Sequence, residues 1–558
     1  MAVTQYIGAR YVPLFANPLE WSADRTYEPL TIVLHEGNSY TSRQYIPVGI
    51  QIDNEDFWAL TGNYNAQVEQ YRQDVNLLKK RICKQLDTAS NFGSATLLNI
   101  GDVVITTGFN EINDGGSAVY IISETGSGNG YDSIKTRNGY ANLVTDGNLN
   151  IKQLGFTGID DQTDLVDYAV NHYSVDFANM TVPIYRTINI TNKTSIRNGV
   201  FEAKFSPQTL TYIFNAHTDL SINTCEFISE NPDQFKGGIQ TNHNLDVDNC
   251  SFDGFAYCIT KSYDETHARP TVKVSNVDAR NCRVVVHLCD CMAFISNIDA
   301  KDTFTTSLLS SMFYIRTDVE AHFTNISCKG YDGSTFHVNR FVDSAPIPPF
   351  SQETPHKSFI YITNVNTDSP RLIDINNQAD IYITNANDTT AKSGRATVEF
   401  RNGYGSLNIY NSTLHSVLMT EANPLPDETR EISLIGCNVL DYIYDDTVNT
   451  KSPTDIVLKD CQLHHVIKRK GNVQITGSTF LSEGSNSTPG ITLYTDGSKH
   501  FITECVKRKT GLLVNLTSTS ANNALILTNN TVYSSNYLSN SGTSNTVKEN
   551  NNFAFGPI

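Results

Sequence analysis

A tripeptide of the form apolar–any–Asn returns along most of this chain. It ends at Asn198, Asn249, Asn276, Asn297, Asn325, Asn364, Asn385, Asn411 and Asn529. Copies with a substituted third residue end at Thr224, Gly436, Asp460 and Gly477. Neighbouring copies are mostly 21 to 28 residues apart, and the 52 residues from Gly477 to Asn529 make about two periods. A repeat of that length is the mark of a solenoid. Each period has to turn a corner, so its corner residue must accept the left-handed backbone conformation, which Asn, Asp and Gly do best. The flanking apolar residues alternate with period two, and Asn and Thr are abundant, which excludes a solenoid of helices. The repeat predicts a mostly β chain whose body is a parallel β-helix. It also predicts that Asn276, Asn297 and Asn325 stack as one ladder, and that Cys225, Cys250, Cys437 and Cys461 face the core beside their corners.

Composition narrows the partners. The 558 residues carry a formal charge of −17, with 39% hydrophobic and 18% charged residues, an ordinary balance for a folded soluble chain. Such an acidic chain is not expected to bind nucleic acid, and any anionic polymer would need a local basic patch or a metal ion. No apolar run reaches 18 residues, so membrane insertion is not expected, and the start "MAVTQYIGARYVPLF" lacks the layout of a signal peptide. The eleven cysteines are mostly scattered singly, as expected of reduced, buried thiols in a chain synthesised in a cytoplasm. Neither a metal site nor a cofactor is expected, because clustered ligand spacings are missing.

Residues 1–62 read as a small β module. Thr31 to Leu34 and Ser39 to Ser42 form a hairpin around the turn His35-Glu36-Gly37-Asn38. Trp21, Tyr27, Tyr40, Tyr45, Phe57 and Trp58 surround it, and both tryptophans of the chain fall here. This pattern resembles the compact carbohydrate-binding modules of bacterial chitinases. The resemblance implies that Trp21, Tyr40 and Trp58 stack on sugar rings. The alternative is that the aromatics form the core of a domain too small to bury enough aliphatic surface. Similar leading modules on phage fibres imply docking to the virion.

Residues 63–86 then show apolar positions at Tyr64, Val68, Tyr71, Val75, Leu78 and Ile82, spaced alternately by four and three. A strict heptad seam without a third apolar column predicts a helical neck that self-associates, although one helix packed on a globular domain has the same pattern. β-branched residues at one core position with Leu at the other lean toward a dimer.

The segment "LLNIGDVVITTGFNEINDGGSAVYIIS", residues 97–123, reads as a strand pair around Asn113-Asp114-Gly115-Gly116. Further on, Asp160-Asp161 precede a helix expected over Leu165 to Asn171. The two motifs in this order resemble the entry of phage tailspikes and other members of the pectate-lyase-like superfamily, although this hairpin is Asn-Asp-Gly-Gly rather than Gly-Asp-Gly-Gly. The resemblance covers about residues 97–535. It implies a right-handed β-helix over 161–535, after a hairpin linker at 87–160 and before a cap or tail at 536–558. It also implies a homotrimer rather than a dimer, a place on the virion, and a host cell-surface polysaccharide as partner.

Chemistry has to be argued from faces, because the polygalacturonase blocks are absent and no complete calcium-and-arginine lyase set can be mapped. Seven residues before four successive corners lie Arg269, Asp290, Asp318 and Lys357, and Glu320 shares the face of Asp318. In a parallel stack these form a column. The expectation is that Asp318 with Glu320 or Asp290 supplies acid and base for glycoside hydrolysis, one carboxyl being held protonated by another, while Arg269 and Lys357 orient substrate. A solvated charged face has the same sequence. Asp441, Asp445 and Asp446 are a second candidate set. His464-His465 and Lys468 to Lys470 read as a polar loop that could meet phosphate. Three functions stay open: a tailspike that depolymerises glycan, a fibre that only holds it, and a secreted bacterial polysaccharide lyase.

Overall fold

The computed structural model describes residues 19–62, 68–75, 83–206, 209–262, 269–301, 311–316, 318–331, 333–339, 357–376, 378–390, 395–401, 405–420, 430–446, 453–481 and 489–555. The chain divides into two compact units, Met1–Thr107 with Ala118–Val144, and Gly108–Ser117 with Thr145–Ile558.

In the first unit, Ile32–His35 pairs antiparallel with Asn38–Ser42, and Asn38–Ser42 with Trp58–Gly62. The tight turn uses Glu36 and Gly37 at φ +49° and +77°, which matches the twist of the flanking strands. Tyr27, Val33, Ile46, Ile52 and Trp58 form the module's core. Residues 68–75 are helical. Of the expected seam, Tyr64, Leu78 and Ile82 lie outside the described residues. The expected helix does not reach residue 86, because Lys84–Thr88 is a strand. A second sheet follows, in which Val103–Gly108 and Val119–Ser123 form the expected hairpin.

The second unit begins with the hairpin's turn. Asp114 accepts backbone N–H groups of Phe109, Asn110, Glu111 and Gly116. Burial by itself would raise its pKa, but these donors hold it below the usual carboxylate range. The helix is Thr163–His172, and Asp161 accepts from both the backbone and the hydroxyl of Thr163 at its start. Its buried face, with Leu165, Val166, Ala169 and Val170, packs against the first strands of the solenoid.

From there, among the described residues, 38 strands form one continuous sheet of parallel neighbours. Val274, Ile295, Phe323, Ile362 and Ile383 are register partners on successive turns and all point into the core. The corner residues read from the sequence all have positive φ, between +48° at Asn411 and +64° at Gly436. The unmarked turn between Gly477 and Asn529 uses Glu504 at φ +56°, and Asn551 at φ +51° follows Asn529. Parallel pairing continues to Phe553–Ala554, beyond residue 535. Ten of the eleven cysteines are buried and all are free thiols. Cys225, Cys250, Cys437, Cys461 and Cys505 each follow a corner, where the alternation turns the side chain inward. Among the described residues no helix is long and apolar enough to cross a membrane.

Candidate functional site

The predicted column has the predicted register. Thr271 pairs with Met292, Met292 with Glu320 and Glu320 with Phe359. Two residues earlier on the same turns stand Arg269, Asp290, Asp318 and Lys357. Asp290 and Asp318 both hold positive φ, +46° and +56°, so each is itself a bend residue. Arg269 reaches past the turn that carries Asp290, and its Nη2 lies 3.4 Å from Asp318 Oδ1. Glu320 Oε1 is 3.8 Å from His322 Nε2. The side chains of Asp318 and Glu320 are 29% and 34% exposed, so both can meet a ligand. Lys357 is bound 2.6 Å from Asp380, one turn further on. Burial raises the Asp380 pKa, while Lys357 and Ser406 outweigh it and hold the carboxyl low.

Beside these groups runs a ladder of rings. Phe294, His322, Tyr361 and Tyr382 stack on successive turns at 5.3, 4.7 and 5.2 Å between centroids, with planes within 10°. The stacking covers the inner ring faces, so the ladder offers solvent its edges, with the imidazole nitrogen and the tyrosine hydroxyls. That surface suits hydrogen bonding to hydroxyl groups better than stacking on sugar rings.

A second set of ionisable groups lies on the strands that follow each corner, and sequence reasoning missed it. His287, Tyr314, His337, Asp374 and Glu399 are register partners on five successive turns. Arg401 donates from Nε to Asp374 Oδ1 at 3.0 Å and from Nη2 to the other carboxylate oxygen. Its Nε also lies 3.1 Å from Glu399 Oε2. Arg371 Nε makes a charge contact with that same Glu399 oxygen at 2.8 Å, and His337 Nδ1 lies 3.4 Å from Asp374. Asp374 is 0% exposed. Burial pushes its pKa up, but His337 and Arg401 together hold it low, so the group is a carboxylate. The available signal was "RLIDIN", an acid in the middle of an apolar strand.

The second candidate set is separated by burial. Asp445 is fully buried and bound by Lys468 Nζ at 2.5 Å. Burial lowers the Lys468 pKa, opposed by Asp445. Asp446 lies at the surface, 3.4 Å from Arg469 Nε. Asp441 is outside this pairing. The sequence expected a polar loop at His464 to Lys470, but His465–Lys468 is a strand whose last side chain points inward. Arg469 and Lys470 reach the surface. With Asn472, Tyr494, Asp496 and Ser498 they line a cleft of about 680 Å³.

In the small module, Trp58 is 2% exposed and packs edge-to-face on Tyr27 at 5.1 Å. Its ring faces are inside the module, which takes it out of any sugar-stacking set. Trp21 and Tyr40 pack against the same core and stay partly exposed. Among the described residues, no cluster of three His, Cys, Asp or Glu could hold a metal.

No protein-family model matches the chain, and no curated protein matches it. Solved structures do. WceF of Pantoea stewartii is described as a glycan biofilm modifying enzyme with a bacteriophage tailspike-like parallel β-helix fold. It is 9% identical with a TM-score of 0.30, covering 67% of this chain and 47% of that one. The tailspike of Acinetobacter phage vB_ApiP_P1 is 12% identical with a TM-score of 0.27, covering 83% of this chain and 71% of that one. Tailspike protein 3 of bacteriophage CBA120 is 11% identical with a TM-score of 0.34, and the match covers 96% of this chain and 78% of that one.

Proposed function

We propose that this chain is a phage tailspike or appendage protein whose solenoid binds, and cuts, a host cell-surface polysaccharide. The observation that carries the reading is the column beside Glu320. Two partly exposed carboxylates, Asp318 and Glu320, stand on one turn with Arg269 drawn across to Asp318, beside a ladder of polar ring edges. Carboxyl pairs roughly 5 to 9.5 Å apart are what glycoside hydrolysis uses. Here Asp318, held by Arg269, and Glu320 share the acid and base roles. Asp290, on the adjacent turn, completes the acidic surface.

The remaining parts follow from the same reading. The chain assembles as a homotrimer through the neck, whose seam residues Val68, Tyr71 and Val75 are 63%, 71% and 46% exposed in the single chain. The small module anchors the spike to the virion, with Trp21 and Tyr40 as its available rings. A second reading, binding without cleavage, is favoured by one observation: Asp318 is already paired with a cation, as structural carboxylates are.

The test measures polysaccharide turnover, as new reducing ends, and cell binding for wild type, Asp318→Asn and Glu320→Gln. Turnover lost with binding kept supports cleavage at this site. Turnover unchanged in both variants overturns the assignment. Binding by a wild type that releases no products establishes the second reading.

A further inference from the structure

The residue at, or just past, the end of each strand of the second face forms a column of its own. Ile315 pairs with Val338, Asn339 with Asn376, Ile375 with Phe400, Phe400 with Met419, Met419 with Asp445 and Tyr444 with Ile467. The column that follows from this register begins at Arg316. It passes through Asn339 and Asn376 to Arg401, and through Thr420 and Asp446 to Arg469. An arginine therefore recurs every third turn. Turns stack ~4.8 Å apart, so the guanidinium groups are spaced by about 14 Å along the solenoid.

Each of these arginines is braced. Arg316 lies over the Tyr314 ring at 5.0 Å, and its Nε donates to His287 Nε2 at 3.0 Å. Burial and the Arg316 charge push His287 down to about 3, so its imidazole is a neutral acceptor. Arg401 is fixed by Asp374 and Glu399, yet its side chain is 35% exposed. Arg469 donates to the Tyr444 hydroxyl at 3.0 Å and lies 5.1 Å from the centroid of the Tyr494 ring. Its side chain is 30% exposed on the 680 Å³ cleft, beside Lys470. Holding a long cation in one rotamer costs side-chain entropy. Braced guanidinium groups bind planar anions with less left to lose.

From this column we infer that the glycan is acidic and runs parallel to the solenoid axis, with anionic groups meeting Arg316, Arg401 and Arg469. The inference rests on the proposed function. The charge of −17 makes a neutral or basic ligand the default, so an anionic polymer needs local cations; Arg316 and the pair Arg469 and Lys470 present them, while Arg401 shares its charge with Asp374 and Glu399 and Arg469 with Asp446. Nucleic acid is the poorer match, because a strand of duplex carries a phosphate every ~3.4 Å and most would meet no arginine here. An acidic polysaccharide with its charges several sugar rings apart fits the spacing.

The experiment prints bacterial surface polysaccharides on an array in three forms: native, with carboxyl groups reduced to alcohols, and with phosphate removed. The full chain is applied between about 0.05 and 0.5 M salt, a range over which exposed charges become screened. Expected are binding to acidic polysaccharides only, weakening with salt, and loss on one of the two treatments, which tells carboxylate from phosphate. Arg316→Gln and Arg469→Gln should each bind about tenfold more weakly, as loss of a charged hydrogen bond predicts. Arg280→Gln, on another face, should bind as wild type. A polysaccharide bound equally in all three forms overturns the inference and leaves the proposed function standing. Binding to no polysaccharide removes the proposed function and the inference together. The array comparison uses wild type, so it holds even where a variant fails to fold.

Discussion

The Nδ2 amide of Asn325 donates to Oδ1 of Asn297, one turn away, at 3.0 Å. The relation repeats from Asn297 to Asn276, from Asn364 to Asn325 and from Asn385 to Asn364. The three-residue ladder expected from the sequence is therefore five residues long. Its first member, Asn276, donates to Asp248.

The ladder is exposed, which changes what a substitution should do. Asn297 is at the surface, so water can satisfy the neighbours it would abandon. Its left-handed backbone, at φ +54°, matters more. Asn297→Leu should cost about 1–2 kcal/mol through that conformation. Asn297→Gly should cost less, since glycine accepts it without strain. Unfolding rates of the two variants check the order.

The acidic cluster on the second face should set part of the acid stability. Asp374 is held below its ordinary value of 3.8, so its stabilising contribution is complete above that value and lost as pH falls through the lower folded one. Asp374→Asn leaves Arg401 and His337 facing a neutral amide and should cost about 3–5 kcal/mol, as breaking a buried pair does. The variant's unfolding rate should also vary less than that of wild type below pH 4, over the titration range of a free aspartate.

Asp445 and Lys468 form a fully buried pair, where removing one partner hurts more than removing both. Lys468→Met should destabilise strongly, by about 3–5 kcal/mol. Asp445→Leu combined with Lys468→Met should recover most of that loss. A double variant as weak as the single one would show that the backbone N–H groups of Arg469 and Lys470 depend on the carboxylate.

Trp58 should be structural. Trp58→Ala removes the largest ring of the small core and should cost that module about 3–5 kcal/mol. Limited proteolysis should then cut within residues 19–62 while the solenoid stays intact.

The neck makes a prediction about assembly. Val68→Asp with Val75→Asp places charge on the proposed seam and should weaken trimer formation, seen as a smaller species by sedimentation. A trimer unchanged in this variant and after deletion of residues 1–86 would assign assembly to the solenoid.

The solenoid can be read from the sequence alone, because its rule is local. A corner needs a residue that tolerates positive φ, and the flanking alternation points apolar side chains inward, so the positions from Asn198 to Asn529 were legible without a partner strand. The column from Arg269 to Lys357 was legible for the same reason, lying a constant seven residues before its corners. The second face obeys no such count. His287 follows Asn276 by 11 residues, Tyr314 follows Asn297 by 17 and Asp374 follows Asn364 by 10, because insertions of different length intervene. Only the stacked register brings His337, Asp374 and Glu399 together, or sets Arg316, Arg401 and Arg469 in one row. Burial was likewise decided in three dimensions. Asp445 and Asp446 are neighbours in sequence, yet the first ends a strand with its side chain turned inward to Lys468, and the second, just past the strand, meets Arg469 at the surface.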